Sequence, residues 1–151
     1  MKKFLLLCSM CLVMVLSLVG CGTKDKESTE NNTPKEFNYY TADELKKAIE
    51  DKKDITLVDI QVKDEYDKHH IKGTIPTYAY PAKTDEEKAK IDVVLDKVQA
   101  NDNPVVVVCP GGGNGAKNTV KYLESKGVKS DRLFILEKGQ KGWPHKDLLE
   151  K

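Results

Sequence analysis

VVVVCPGGGNGA, residues 105–116, is the stretch that decides the fold. Four consecutive valines predict a fully buried strand, because β-branched side chains suit a pleated surface that is covered on both faces. A lone cysteine, Cys109, follows the valines, and four glycines then occur within five residues. Apolar residues at 116, 120 and 123 have helical spacing, and Gly127 is typical of the end of a helix. The stretch therefore predicts a strand, a glycine-rich turn and a helix, a unit that binds ligands beyond the carboxyl ends of parallel strands.

The same unit predicts a reactive thiol at Cys109. Glycines leave backbone N–H groups able to turn toward an anion, and a helix N-terminus adds roughly half a positive charge. Both features favour the thiolate, which is the nucleophilic form of cysteine. The alternative interpretation is a small buried side chain at a strand end, followed by glycines that serve only a tight turn.

The amino-terminal region has the layout of a secretory leader. Met1-Lys2-Lys3 is a short basic start, and an apolar run from Phe4 to Gly20 follows it. The run ends in Leu18-Val19-Gly20-Cys21 and resembles the bacterial lipobox, which implies lipid attachment at Cys21 and cleavage before it. We therefore expect a lipoprotein signal peptide over residues 1–20. The mature protein would then be anchored by lipid to the extracytoplasmic face of the bacterial cell envelope, without a spanning helix.

A polar tether is expected over residues 21–36, because this segment has no large apolar residue with which to form a core. The folded domain is expected over residues 37–151. Cys8 and Cys11 lie in the leader, and Cys21 would be acylated, so Cys109 would be the only thiol of the mature chain. It could not form an intramolecular disulfide in a compartment where disulfides are usual.

The charge pattern argues against a nucleic-acid partner. The chain has 25 basic and 24 acidic residues, interleaved throughout, and its net charge is +1. The sequence has no cysteine–histidine cluster with the spacing of a zinc site. We therefore expect no metal and no other cofactor.

Strands alternate with helices beyond residue 37, which predicts a parallel α/β sheet. Capping boxes at Thr41 and Thr84 begin two helices, of which the second should run to about Ala100. Besides the valine strand, strands are expected at residues 37–40, 55–60, near 77–80 and at 133–136. A short helix should close the chain.

Three stretches resemble the rhodanese homology domain in their order and spacing. The first is LVDIQ at residues 57–61 with HIKGTI at 70–75, and the second is the valine strand with its glycine turn. The third is LEKG at residues 136–139 with the glycine–tryptophan pair that follows. The resemblance covers about residues 37–150 and implies a single domain with a five-stranded parallel sheet flanked by helices. We interpret the matching signature residues as structural; they are Asp59, His70, Gly73, Gly142 and Trp143.

The resemblance also implies a chemistry. Cys109 matches the residue that takes a sulfane sulfur from a small donor, holds it as a persulfide and passes it to a thiol or cyanide. The residues that would cradle this sulfur are Pro110, Gly111, Gly112, Gly113, Asn114, Gly115, Ala116 and Lys117. Members that use thiosulfate usually carry a basic residue where this chain has Asn114, and Gln61 replaces another common arginine. The departures favour a donor of low charge over thiosulfate.

A cysteine-based phosphatase and a non-catalytic module are the two alternatives to sulfur transfer. A cysteine-based phosphatase needs an arginine six residues after the cysteine, where this chain has Gly115. A non-catalytic sulfur carrier, a binding module or a redox-sensing thiol on the same fold stays open, because the loop lacks the basic residue.

Overall fold

The computed structural model describes residues 36–151, and their fold is an α/β sheet flanked by helices. Within these residues, five parallel strands form one sheet, as predicted. They are β1 (Asn38–Tyr40), β2 (Thr56–Asp59), β4 (Thr74–Pro76), β5 (Val105–Val108) and β6 (Leu133–Leu136). Their order across the sheet is β1-β6-β5-β2-β4. A separate antiparallel pair joins β3 (His70–Ile71) to β7 (Leu149–Glu150).

Within residues 36–151, five α-helices pack around the sheet. They are α1 (Ala42–Glu50), α2 (Lys63–Lys68), α3 (Asp85–Ala89), α4 (Leu95–Gln99) and α5 (Asn114–Ser125). Both predicted capping boxes are confirmed. The Thr41 hydroxyl accepts the N–H of Glu44, and the Glu44 carboxylate accepts the N–H of Thr41; Thr84 and Glu87 repeat the arrangement. No helix within residues 36–151 has the length and apolar character needed to cross a membrane.

The strand predicted near residues 77–80 is wrong, because the strand lies earlier, at Thr74–Pro76. Its register with β2 explains the difference: Leu57 pairs with Thr74 and Asp59 with Pro76, so the partner strand ends at that point. Tyr78 then has a φ of +56°, which ends the extended backbone.

The single helix predicted from Thr84 to Ala100 is also wrong. A 3₁₀ segment, Lys90–Val94, separates α3 from α4. Three residues per turn place Ile91 and Val94 one above the other, and both are buried against the sheet. The predicted closing helix is a 3₁₀ turn, Lys146–Leu148, followed by β7.

Apolar residues cover both faces of the central strand β5, whose four valines are fully buried. Val105 and Val107 join the core beneath α4 and α5, whereas Val106 and Val108 join a second core with Leu45 of α1. The valine strand is thus buried on both faces, as predicted. Cys109 and its loop lie at the carboxyl end of β5.

Candidate functional site

Cys109 follows β5 directly and is only 1% exposed. Its Sγ accepts a hydrogen bond from the N–H of Gly112, with an N–S distance of 3.0 Å. A four-residue turn, residues 110–113, connects the cysteine to α5. The predicted thiol therefore lies at the end of the central strand, inside a turn formed by its own loop.

Helix α5 begins at Asn114, three residues earlier than Lys117. The residues from Asn114 to Lys117, which were predicted to cradle the sulfur, therefore form the first turn of helix α5. They are not part of the loop that connects Cys109 to the helix. The N–H groups of Asn114, Gly115 and Ala116 have no partner within the helix, whereas that of Lys117 donates to the carbonyl of Gly113. The three free groups and the positive end of the helix dipole lie next to the cysteine loop, an arrangement that stabilises an anionic sulfur.

Glycine is required at two positions around the thiol. Gly112 has a φ of +69°, and a Cβ there would lie 2.1 Å from the carbonyl oxygen of Glu137. Gly139 has a φ of +57°, and a Cβ there would lie 2.1 Å from the carbonyl oxygen of Cys109. Two backbones thus approach each other where a side chain would separate them.

The segment after β6 supports the cysteine loop from behind. The N–H of Gln140 donates to the carbonyl of Cys109 at 2.8 Å, and the N–H of Lys141 donates to that of Pro110 at 3.0 Å. Nothing in the sequence indicated this contact between Gly139 and the cysteine loop. The LEKG stretch marks this segment in the sequence, but its residues do not indicate that the segment contacts the cysteine loop.

The cysteine loop itself carries no charged side chain, because residues 110–116 are proline, glycine, asparagine and alanine. The Lys117 ammonium lies 5.7 Å from the centroid of the Phe37 ring. Arg132 is the only arginine of the chain, and its guanidinium donates to the carbonyls of Val98 and Asn103, before the start of β5. It therefore lies toward the opposite edge of the sheet from Cys109.

Asp59, His70 and Gln61 form a buried polar cluster on the other face of the sheet. Asp59 is fully buried and stands beside Val108 in the register of β2 with β5, so its side chain shares the face of Val108 and not that of Cys109. Burial raises the pKa of the Asp59 carboxyl to about 6, although hydrogen bonds from Gln61 and the nearby His70 oppose the shift. None of the hydrogen bonds of this cluster reaches the Cys109 sulfur, whose bond comes from the N–H of Gly112.

The remaining signature residues occupy packing or turn positions. The His70 ring stacks on Tyr66 with 3.8 Å between ring centroids. Gly73 turns the chain between β3 and β4 with a φ of +81°. Gly142 lies against the Lys138 side chain, and Trp143 is in the second core, where its Nε1 donates to the carbonyl of His145 at 2.7 Å.

Tyr80 is a site neighbour that the sequence did not reveal. A Cβ at Gly115 would lie 2.9 Å from its Cδ2, so the tyrosine ring covers the first turn of α5. Among residues 36–151, no group of three or more histidine, cysteine or carboxylate side chains is arranged to hold a metal ion. The candidate site is thus built on one free thiol, Cys109, and on the backbone of the loop that follows it.

A comparison with protein families matches residues 41–146 to the rhodanese-like domain. The chain belongs to the rhodanese-like domain family. The match includes all three signature stretches and the cysteine loop. No curated protein sequence matches the chain.

Solved structures show the rhodanese-like fold as well. A rhodanese-like domain protein from Staphylococcus aureus is 27% identical, with a TM-score of 0.51 over 74% of this chain and 96% of that one. A thiosulfate sulfurtransferase from Pseudomonas aeruginosa is 19% identical, with a TM-score of 0.57 over 76% of this chain and 20% of that one. An As-Sb reductase from Leishmania major is 13% identical, with a TM-score of 0.58 over 76% and 85% of the two chains. The last two likenesses concern the fold alone.

Proposed function

We propose that this protein is a sulfurtransferase that carries sulfane sulfur as a persulfide on Cys109. The observation that carries the proposal is the geometry of the thiol: Sγ at the end of β5, 3.0 Å from the N–H of Gly112 and next to the first turn of α5. Hydrogen-bond donors and a helix dipole favour the thiolate that attacks sulfur. Membership of the rhodanese-like domain family supports the same chemistry.

The reaction has two balanced displacement steps. The Cys109 thiolate attacks the outer sulfur of the donor, and the bond between that sulfur and the rest of the donor breaks. The remainder leaves with the bonding electrons, and Cys109 is left as a persulfide. An acceptor thiolate then attacks the terminal sulfur, the sulfur–sulfur bond to Cys109 breaks, and the cysteine thiolate is regenerated. No external oxidant or reductant is consumed.

The donor is proposed to be of low charge, because residues 110–116 supply no cation to a bound dianion. Backbone N–H groups carry only partial charges and discriminate less strongly by donor charge than a guanidinium would. Persulfides and polysulfide therefore fit this loop better than thiosulfate. The acceptor is a thiol.

We also propose that Cys21 carries a lipid that holds the protein at the outer face of the bacterial cytoplasmic membrane or envelope. The support is the sequence alone: the basic start, the apolar run and the lipobox-like end at Gly20-Cys21. Residues 1–35, which include this leader, Cys21 and nearly all of the tether, lie outside the described residues. The membrane contact would be made by the lipid.

Steady-state turnover with cyanide as the acceptor tests the enzymatic proposal. The purified protein is mixed with thiosulfate, polysulfide or glutathione persulfide, and thiocyanate is measured over time. We expect turnover with the low-charge donors, weak turnover with thiosulfate and none in Cys109→Ser. Turnover that persists unchanged in Cys109→Ser would refute the role of the thiol.

A sulfur carrier or redox-sensing thiol is the second candidate. The uncharged loop and the burial of Cys109 favour it, because both slow attack on a charged donor in solution. A carrier would gain one sulfur atom in intact mass but would not produce thiocyanate catalytically. A redox sensor would instead gain oxygen atoms or a mixed disulfide after peroxide treatment.

A further inference from the structure

The segment of residues 78–82, here called the tyrosine segment, lies against the first turn of α5, next to the cysteine loop. The N–H of Tyr80 donates to the carbonyl of Ile60 at 2.7 Å, just beyond the end of β2. The Asn118 side chain on α5 donates to the carbonyl of Pro81 at 3.3 Å. These bonds hold the tyrosine segment between β2 and α5, where the Tyr80 ring covers Gly115.

The backbone of the tyrosine segment is strained at both ends. Tyr78 and Ala82 each have a φ of +56°, a left-handed conformation that costs non-glycine residues about 1–3 kcal/mol. The N–H of Ala82 donates to the carbonyl of Ala79 at 2.6 Å, and both alanines are fully buried. The buried side chains of Ala79 and Ala82 therefore hold Tyr80 in this orientation, although the left-handed backbone on either side costs free energy.

Tyr80 nevertheless keeps much of its ring in solvent. It is 41% exposed, so part of the ring is open to a bound molecule. The ring gives this side of the cysteine loop an apolar surface, and the loop itself is uncharged. Together they match a donor whose organic part is apolar and whose reacting sulfur is at one end.

We propose that Tyr80 is a specificity-determining residue that contacts the apolar organic group of the sulfur donor. This inference rests on the proposed function and names its substrate class: organic donors of the form R–S–SH or R–SO₂–S⁻, with R apolar. The Cys109 thiolate takes the outer sulfur, and R leaves as a thiolate or a sulfinate with the bonding electrons. The ring orients R while that bond breaks.

Two donors with the same reacting group and the same single charge test this assignment. Benzenethiosulfonate and methanethiosulfonate differ only in R. The full chain, purified in detergent, is mixed with each donor, and the rate of sulfur gain on Cys109 is followed by intact mass. The variants are Tyr80→Ala, Tyr80→Gln and Tyr80→Phe. Tyr39→Ala is the matched control, because Tyr39 is 43% exposed on β1 at the opposite edge of the sheet.

We expect wild type to prefer benzenethiosulfonate, and Tyr80→Ala and Tyr80→Gln to lose roughly three- to tenfold of that preference, the scale of one aromatic contact. Tyr80→Phe and Tyr39→Ala should keep it. Rates with methanethiosulfonate should stay within about twofold in all folded variants, since that donor has almost no apolar surface to lose. Equal preference in wild type and Tyr80→Ala overturns the inference alone. No sulfur gain from either donor in wild type overturns the proposed function, and this inference with it.

Discussion

Replacing Gly112 with alanine tests whether the cysteine loop needs the backbone geometry that the structure shows. The new Cβ would lie 2.1, 2.7 and 2.8 Å from backbone atoms of Glu137 and Leu136, so flexible side chains cannot relieve the contact. The φ of +69° adds about 1–2 kcal/mol for a residue with a Cβ. Backbone displacement in a packed region adds about 1–3 kcal/mol. We expect the free energy of unfolding to fall by about 3 kcal/mol.

Gly111→Ala is the matched control, because a Cβ at Gly111 has no atom within 4 Å and its φ is not positive. It should change stability by less than about 1 kcal/mol, on the stabilising side, since alanine restricts the unfolded chain. Urea unfolding of residues 36–151, followed by the fluorescence of the single tryptophan, Trp143, measures both variants. With a slope of about 1.5 kcal/mol per M, the Gly112→Ala midpoint should fall by about 2 M. Equal midpoints for the two variants would refute the reasoning.

Three further predictions follow from the fold and the leader. Residues 36–151 should unfold cooperatively without the rest of the chain, because both apolar cores lie within them; a gradual, non-cooperative transition would contradict this. Burial raises the pKa of the Asp59 carboxyl from its ordinary 3.8 to about 6. The contribution of the protonated carboxyl to stability, about 3 kcal/mol, is therefore complete below pH 3.8 and is lost as the pH rises from 3.8 through 6. Asp59→Asn should therefore gain stability relative to wild type between pH 4 and pH 7, measured by urea unfolding, and a difference that is constant with pH would count against it. Cells fed labelled palmitate should label wild type but not Cys21→Ala, and equal labelling would exclude the lipid anchor.

Local patterns in the sequence were sufficient to predict the central strand and two of the helix starts. The valine run predicted a central strand because its side chains need cover on both faces, and the structure buries all four. The two capping boxes predicted helix starts because the hydrogen bonds of Thr41 and Thr84 are made to glutamates only three positions away. Interactions of short range are visible in sequence order.

Features that depend on contacts between distant segments could not be predicted. The position of β4 is set by its register with β2 and by the positive φ of Tyr78. The 3₁₀ segment that interrupts α3 and α4 depends on the shape of the core, because an ordinary helix would also have matched the apolar pattern. At the site, the glycine-rich turn after Cys109 was evident, but the Gly139 and Tyr80 contacts come from elements that meet only in the folded chain.

The most direct test of the account follows one sulfur atom through Cys109. The protein is treated with polysulfide made from heavy-isotope sulfur and is then freed of excess donor. One portion is mapped by peptide mass, and the other is mixed with a thiol acceptor. The account predicts one labelled sulfur on the peptide that contains Cys109, its transfer to the acceptor and its absence from Cys109→Ser. A Cys109 peptide that never gains sulfur, or one that gains it but never passes it on to the thiol, would contradict sulfur transfer through this cysteine.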